Sequence, residues 1–438
     1  MPGPSLTQDF FRGRRERFFE AMGDNTIAVF PAGPATPNHI RFRQNSDFYY
    51  LTGFPEPGAV AALLKHEGEQ TYVLFVPPRD AHSERWDGSR AGVEGAVSGY
   101  GADVAHSVDD IDKELPSLFG NAWHAYLKPD IHTALGRTLF GIYERSAKSS
   151  DRLGHGAVEL KDPAWLLASM RVHKTPEELD MMRHAAAISR ASYAETIPHI
   201  KPGAYEYEIQ ARLEYGWRSR GADEPAYVSI VGGGNNATCL HYVENDGMLR
   251  DGDAVLIDAG CMYGHYASDV TRTYPVNGKF SDAQRRIYEI VLRAEKAAIE
   301  IMKPGVSIKD LQKTGALVMI DGMVELGWLE DGDPEELFDD KAHQPYFMHG
   351  IAHHLGLDTH DSAPAESDGE PFQLREGAVV TIEPGIYVSE GVEGVDEVYH
   401  RIGVRVEDDV LVTADGYETL TDGIVKEIDD IEAAVGSA

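Results

Sequence analysis

The chain has 438 residues, with 40 Lys plus Arg against 72 Asp plus Glu and a formal charge of −32 at pH 7. Such acidity repels a nucleic-acid backbone and an anionic membrane, and no apolar run reaches the roughly 20 residues that a bilayer crossing needs, so neither is expected as a partner. The two cysteines, Cys239 and Cys261, exclude a disulfide framework and fit a reducing compartment, hence a cytoplasmic protein; both read as small buried residues.

The N-terminus has no apolar h-region or small-residue cleavage site, so no secretory leader is expected. Residues 10–22 are rich in Arg and Phe, but Asp9, Glu16 and Glu20 argue for a surface helix over an organelle transit peptide. Residues 59–64 (AVAALL) and 71–76 (TYVLFV) are apolar runs of strand length, separated by the turn-like His66-Glu67-Gly68, and Pro77-Pro78 ends the second. Gly-rich segments such as 92–101 follow. Residues 1–174 thus form an N-terminal α/β domain. The second domain, residues 175–438, opens with Thr175-Pro176-Glu177-Glu178: a Thr N-cap, Pro at the first helical position and Glu at the third. The helix should end before Lys201-Pro202-Gly203.

This second domain repeats itself. Ser281-Asp282-Ala283-Gln284 is another capping box, and its helix also runs into Lys303-Pro304-Gly305, so that Glu208-Ile209-Gln210 matches Asp310-Leu311-Gln312 at an offset of 102. Leu249-Arg250-Asp251-Gly252, followed by Val255, Ile257, Asp258 and Gly260, matches Leu374-Arg375-Glu376-Gly377, followed by Val380, Ile382, Glu383 and Gly385, at an offset of 125. Each copy reads as turn, buried strand, carboxylate, glycine. Two repeats in the same order point to an internal duplication folded about a pseudo-two-fold axis, with the two carboxylates near it.

A carboxylate ending an apolar strand is costly to bury unpaired. Pairing with an arginine would explain either Asp258 or Glu383 alone. Yet Asp269 and Glu407 join them, and His349, His353, His354 and His360 crowd one short segment. Four carboxylates with a histidine form a cage whose mutual repulsion makes sense with cations between them. Such a shell suits Mn²⁺ or Co²⁺ better than the thiolate-rich sites of structural zinc, and two ions about 3.5–4 Å apart support hydrolysis without a Ser or Cys nucleophile.

Five stretches carry a resemblance: LHYVEND, VLIDAGCMYGHYASDVTRTYPVNGKFS, FMHGIAHHLGLDTHD, VVTIEPGIYV and GVRVEDDVLVT. They are similar to the pita-bread metallopeptidases, and among these to aminopeptidase P (Xaa-Pro aminopeptidase). RQNSDFYYLTGFPEPGAV and RDAHSERWDGSRAGVEGA resemble that family's first domain. The resemblance implies an α+β chain with an N-terminal domain for assembly or access and a C-terminal pita-bread domain. It implies metal ligands at Asp258, Asp269, His353, Glu383 and Glu407, holding two divalent ions, Mn²⁺ first with Co²⁺ or Zn²⁺ as alternatives. It further implies supporting roles for His241, His349, His360, Arg405 and Tyr387, with Glu383 moving the proton and a metal-bridging hydroxide attacking. The implied reaction releases the first residue of peptides with proline second. Alternatives are a prolidase acting on Xaa-Pro dipeptides, with or without an organophosphate side activity, and a non-catalytic pita-bread binding module. A homo-oligomer, dimer or tetramer, is implied, with Trp86 reaching a neighbouring subunit's active site or standing as an ordinary core or surface tryptophan. His354 stands where relatives often carry an aromatic and reads as a packing residue.

Overall fold

Two apolar runs separated by a short polar turn close into a hairpin in the computed structural model, which describes residues 3–36, 41–154, 156–367 and 369–436. Strand Val60–His66 pairs antiparallel with Glu69–Val76, and His66 faces Glu69. The two residues between them, Glu67 and Gly68, have φ of 51° and 85°, as a two-residue type I′ turn requires. This hairpin lies in a six-stranded sheet ordered Val104–Ser107, Glu69–Val76, Val60–His66, Thr26–Pro31, His124–Leu127, Glu159–Lys161. The central pairings are antiparallel and the outer ones parallel. Leu115, Phe119, Leu139 and Ile142, from helices Ile111–Gly120 and Ala134–Leu153, pack on it.

Helix Gln8–Met22 differs from a simple surface helix. Phe11, Phe18, Phe19 and Met22 turn inward, and so do Arg14 and Arg15. Their guanidinium groups donate to the carbonyls of Tyr50 and Leu51 and lie over the rings of Tyr50 and Tyr72, at 3.9 and 4.1 Å. These contacts replace the water that a buried cation loses. The Gly-rich run is helix Gly92–Tyr100, ended by Gly101 at φ 68°. All of this belongs to one compact unit, running from Leu6 to Met170; a second runs from Arg171 onward and takes in residues 3–5. None of the described helices is long and apolar enough to cross a membrane.

The second unit carries the duplication in its hydrogen bonds. Helix Pro176–Thr196 starts at the Thr175 capping box, and Asp282–Glu300 at that of Ser281. After each Lys-Pro-Gly, the glycine N–H donates to a leucine carbonyl: Gly203 to Leu249 at 2.9 Å, Gly305 to Leu374 at 2.8 Å. Each leucine N–H returns a bond to the residue after its glycine, Ala204 or Val306, at 2.8 Å. Helices Glu206–Ser219 and Ile308–Glu325 follow, each with a capping box. Each half then lays its central strand between two antiparallel neighbours. In the first, Ala254–Asp258 lies between Ile230–Gly233 and Thr271–Pro275. In the second, Val379–Ile382 lies between residues 351–355 and Asp408–Val412. One apolar cluster, from Ile188 to Val435, is common to both halves, so each half completes the other's core.

Candidate metal centre

The middle strand of each half aims its terminal carboxylate at the same place. Asp258 ends Ala254–Asp258 opposite Thr271, and Asp269 lies two residues before Thr271 on the returning strand. Glu383 follows Val379–Ile382, and Glu407 precedes Asp408–Val412, where Asp408 faces Ile382. The segment 351–355 is held beside Val379–Ile382 by Thr381 N–H donating to the His353 carbonyl at 2.9 Å and Glu383 N–H to that of Ile351 at 2.7 Å. The glycine two residues after each carboxylate has a steric reason. A Cβ on Gly260 would meet the Ser268 carbonyl oxygen at 1.9 Å, and one on Gly385 the Tyr387 hydroxyl at 2.4 Å.

The five side chains converge. Donor atoms of Asp269, His353 and Glu407 all lie within 4.8 Å of one another. His353 Nε2 is 3.5 Å from Asp269 Oδ2 and 3.6 Å from Glu383 Oε1. Asp258 joins through Tyr227, whose hydroxyl is 2.6 Å from Asp258 Oδ1 and also bonds Asp269 Oδ1. The His353 Nδ1 lies 3.1 Å from the His354 carbonyl, which can only accept, so Nδ1 carries a proton and Nε2 is the nitrogen that faces the carboxylates.

A second ring fixes the first. Arg405 donates from Nη2 to Asp258 Oδ2, from Nη1 to the Tyr387 hydroxyl at 2.8 Å and from Nε to Thr271 Oγ1 at 3.1 Å. Thr271 passes its own proton to Glu407 Oε2 at 2.6 Å. The Tyr387 hydroxyl donates to His349 Nε2 at 2.8 Å, and His349 Nδ1–H to the Gly350 carbonyl at 2.8 Å. That Nδ1 is 3.6 Å from Glu383 Oε2. His360 stands edge-on to His353, ring centres 4.4 Å apart. Burial lowers His349 to about 4, with smaller contributions from Arg405 and His241; His360 is lowered by burial, His353 and His241. His241, itself exposed, thus stands near both rings. His354 is buried and turns instead toward Phe372. Trp86 is 73% exposed on helix Ala81–Asp87, which removes the core reading for it.

The donor set fits divalent cations. Burial raises the pKa of Asp258 against the pull of Arg405, of Glu407 well above the usual range, and of Glu383 to about 7. Burial opposes charging His353, yet Asp269 and Glu383 outweigh it and raise the ring to about 9. Four carboxyl groups with one guanidinium among them hold their charge only with further positive charge in their midst. Oxygen donors with a single imidazole are the ligands of hard or borderline divalent ions.

Comparison with known proteins gives the same answer. The model of metallopeptidase family M24 matches residues 180–414, and that of the aminopeptidase P N-terminal domain matches residues 11–126. The chain belongs to metallopeptidase family M24. It is 41% identical over 431 residues to a Xaa-Pro aminopeptidase of Haemophilus influenzae, covering 98% of this chain and 97% of that one. With the Xaa-Pro aminopeptidase of Escherichia coli it shares 37% over 438 residues, 99% of each chain. Among solved structures it is similar to Pseudomonas aeruginosa aminopeptidase PepP, with a TM-score of 0.94, 40% identity and 99% of each chain covered. It is similar also to E. coli aminopeptidase P in complex with substrate, at 0.92, 37% and 98% of each. The fold is that of aminopeptidase P, and as an M24 metallopeptidase the chain is a metal-dependent hydrolase.

Sequence reasoning missed two members of this cluster. Tyr227 lies in a stretch, 224–229, without motif or periodicity, and only the fold brings it to Asp258 and Asp269. Thr271 stood inside a matching stretch without a role of its own. The expectation for Cys239 fails: it is exposed, because it follows the 3-10 turn Gly234–Thr238 on a loop that leaves the sheet. Cys261 is buried as expected.

Proposed function

We propose that this metallopeptidase releases the N-terminal residue of peptides whose second residue is proline, holding two divalent ions, Mn²⁺ foremost, between Asp258, Asp269, His353, Glu383 and Glu407. The convergence of these five side chains from five segments carries the reading. Bound there, the ions supply Lewis-acid polarisation of a carbonyl and lower the pKa of water. Glu383, half-buried at the edge of the cluster, takes a proton at a carboxylate oxygen and returns it to the leaving proline nitrogen. His349 stays neutral and directs Nδ1–H between Gly350 and Glu383, because the Tyr387 hydroxyl, itself held by Arg405, donates to its other nitrogen. His241 and His360, on the exposed side, donate toward the developing oxyanion. The relatives are Xaa-Pro aminopeptidases by name, one E. coli structure carries Pro-Leu as inhibitor and another is zinc-substituted; both support an Xaa-Pro substrate and an exchangeable metal. A cytoplasmic homo-oligomer is part of this reading.

The test is to strip the metal, then assay an Xaa-Pro dipeptide and an Xaa-Pro-Xaa tripeptide with Mn²⁺, Co²⁺ and Zn²⁺ in turn. The tripeptide should be cleaved after its first residue, fastest with Mn²⁺. Cleavage of the dipeptide alone would make the chain a prolidase, and no cleavage with any ion would overturn the proposal.

A further inference from the structure

The loop that carries His241 closes around one buried carboxylate. Glu206 is the first residue of helix Glu206–Ser219 and is 1% exposed. Its Oε1 accepts from Gly233 N–H at 2.7 Å and Asn236 Nδ2 at 3.0 Å; its Oε2 accepts from the Tyr242 hydroxyl at 2.8 Å and Gly247 N–H at 2.6 Å. The four donors span residues 233–247, both ends of the loop and the neighbour of His241. A carboxylate without its water is stable only when so fully bonded, and in return it fixes the groups that bond it. Small residues leave it room: a Cβ on Gly247 would meet Glu206 Oε2 at 2.7 Å.

The internal duplication provides a control. Gln210 and its counterpart Gln312 do comparable jobs, accepting from Asn245 Nδ2 at 2.9 Å and Ile351 N–H at 2.7 Å. The counterpart of Glu206, by the same offset, is Ile308, which packs against the apolar core. One half therefore folds with an aliphatic residue where the other places a buried charge. The charge is found in the half whose loop carries His241, whose charge is felt by His349 and His360.

We propose that Glu206 is a positioning residue, whose carboxylate cinches the 233–247 loop and so sets where His241 stands in the site. This rests on the peptidase reading above and adds to it a residue that touches neither substrate nor metal.

The experiment is a double-mutant cycle on the metal-loaded full chain, with an Xaa-Pro-Xaa tripeptide as substrate. Glu206→Gln keeps the shape but turns an NH₂ toward two of the four donors. It should lower kcat/KM on the order of 10- to 100-fold while metal content stays at the wild-type level. In a His241→Ala background the same substitution should have no further effect, since the group it positions is gone. Tyr242→Phe, which removes a single donor and spares the fold, should give a smaller loss that also vanishes in that background. Wild-type kinetics for both variants, or equal losses with and without His241, would overturn the proposal; if Glu206→Gln does not fold, the Tyr242→Phe cycle decides by the same criterion. The peptidase reading is judged separately, by whether the wild-type chain cleaves the tripeptide and His241→Ala slows it.

Discussion

Glu407 and Asp408 are neighbours in sequence and alternate in direction along their strand, so each enters a different buried cluster. Glu407 joins three more carboxylates and His353, with Arg405 as the permanent cation. Asp408 meets Arg272 Nη2 at 2.7 Å and Lys426 Nζ at 2.6 Å, and Lys426 also holds Glu295 Oε1 at 2.6 Å. Here two acids face two cations, with side chains of Arg272, Asp408 and Glu295 at 1%, 1% and 0% exposure. The two clusters share a wall, since Arg272 Nη1 donates to the Glu407 carbonyl at 2.6 Å. Their difference teaches that burial and acidity alone do not mark a metal site. What sets the candidate metal cluster apart is several acids together with too few cations.

Three measurements would break or sharpen that contrast. The largest effect belongs to the cation-poor cluster: Glu383→Ala should lower turnover on the order of 10²- to 10⁴-fold and reduce bound metal, read by tripeptide assay beside elemental analysis. Normal rate with normal metal would end the assignment. In the balanced cluster, Asp408→Ala strands the buried Arg272 guanidinium and leaves Lys426 with Glu295 alone, and should cost about 3–5 kcal/mol in urea unfolding. A loss of activity at unchanged stability would mean that this cluster serves chemistry rather than the fold.

The smallest effect is one of pH. Burial lowers His354 from 6.5 to about 3, and its Nδ1 has no hydrogen-bond partner among the described residues. The unfolded chain therefore takes up a proton near pH 6.5 that the folded chain refuses, so stability falls as the pH drops from about 6.5 toward 3. His354→Phe should flatten that acid limb and leave stability at pH 8 nearly unchanged, as followed by denaturant midpoints across the range. An unaltered acid limb would show that this ring does not set it.

Much of this was legible because it is local. The strand-ending acids stood out against the apolar runs before them, the capping boxes announced helices at Pro176 and Asp282, and the offsets of 102 and 125 recur as matched hydrogen bonds. What escaped depends on distant pairing. Arg272 meets Asp408 across 136 residues and Tyr227 meets Asp269 across 42; no local pattern encodes such partners. Arg14 and Arg15 looked like a solvated face, because nothing near them in sequence names the Tyr50 and Leu51 carbonyls that receive them. Cys239 looked like a buried residue from its type alone, whereas the direction of its loop decides its exposure.

The two halves divide the candidate ligands unequally: Asp258 and Asp269 before residue 276, His353, Glu383 and Glu407 after it. Between them runs a turn whose Asn277 and Lys279 are exposed. A chain nicked there yields two fragments, neither with the whole donor set and both with an open apolar face. Activity could return only by complementation, as the fragments found each other, and its rate of recovery would depend on both concentrations.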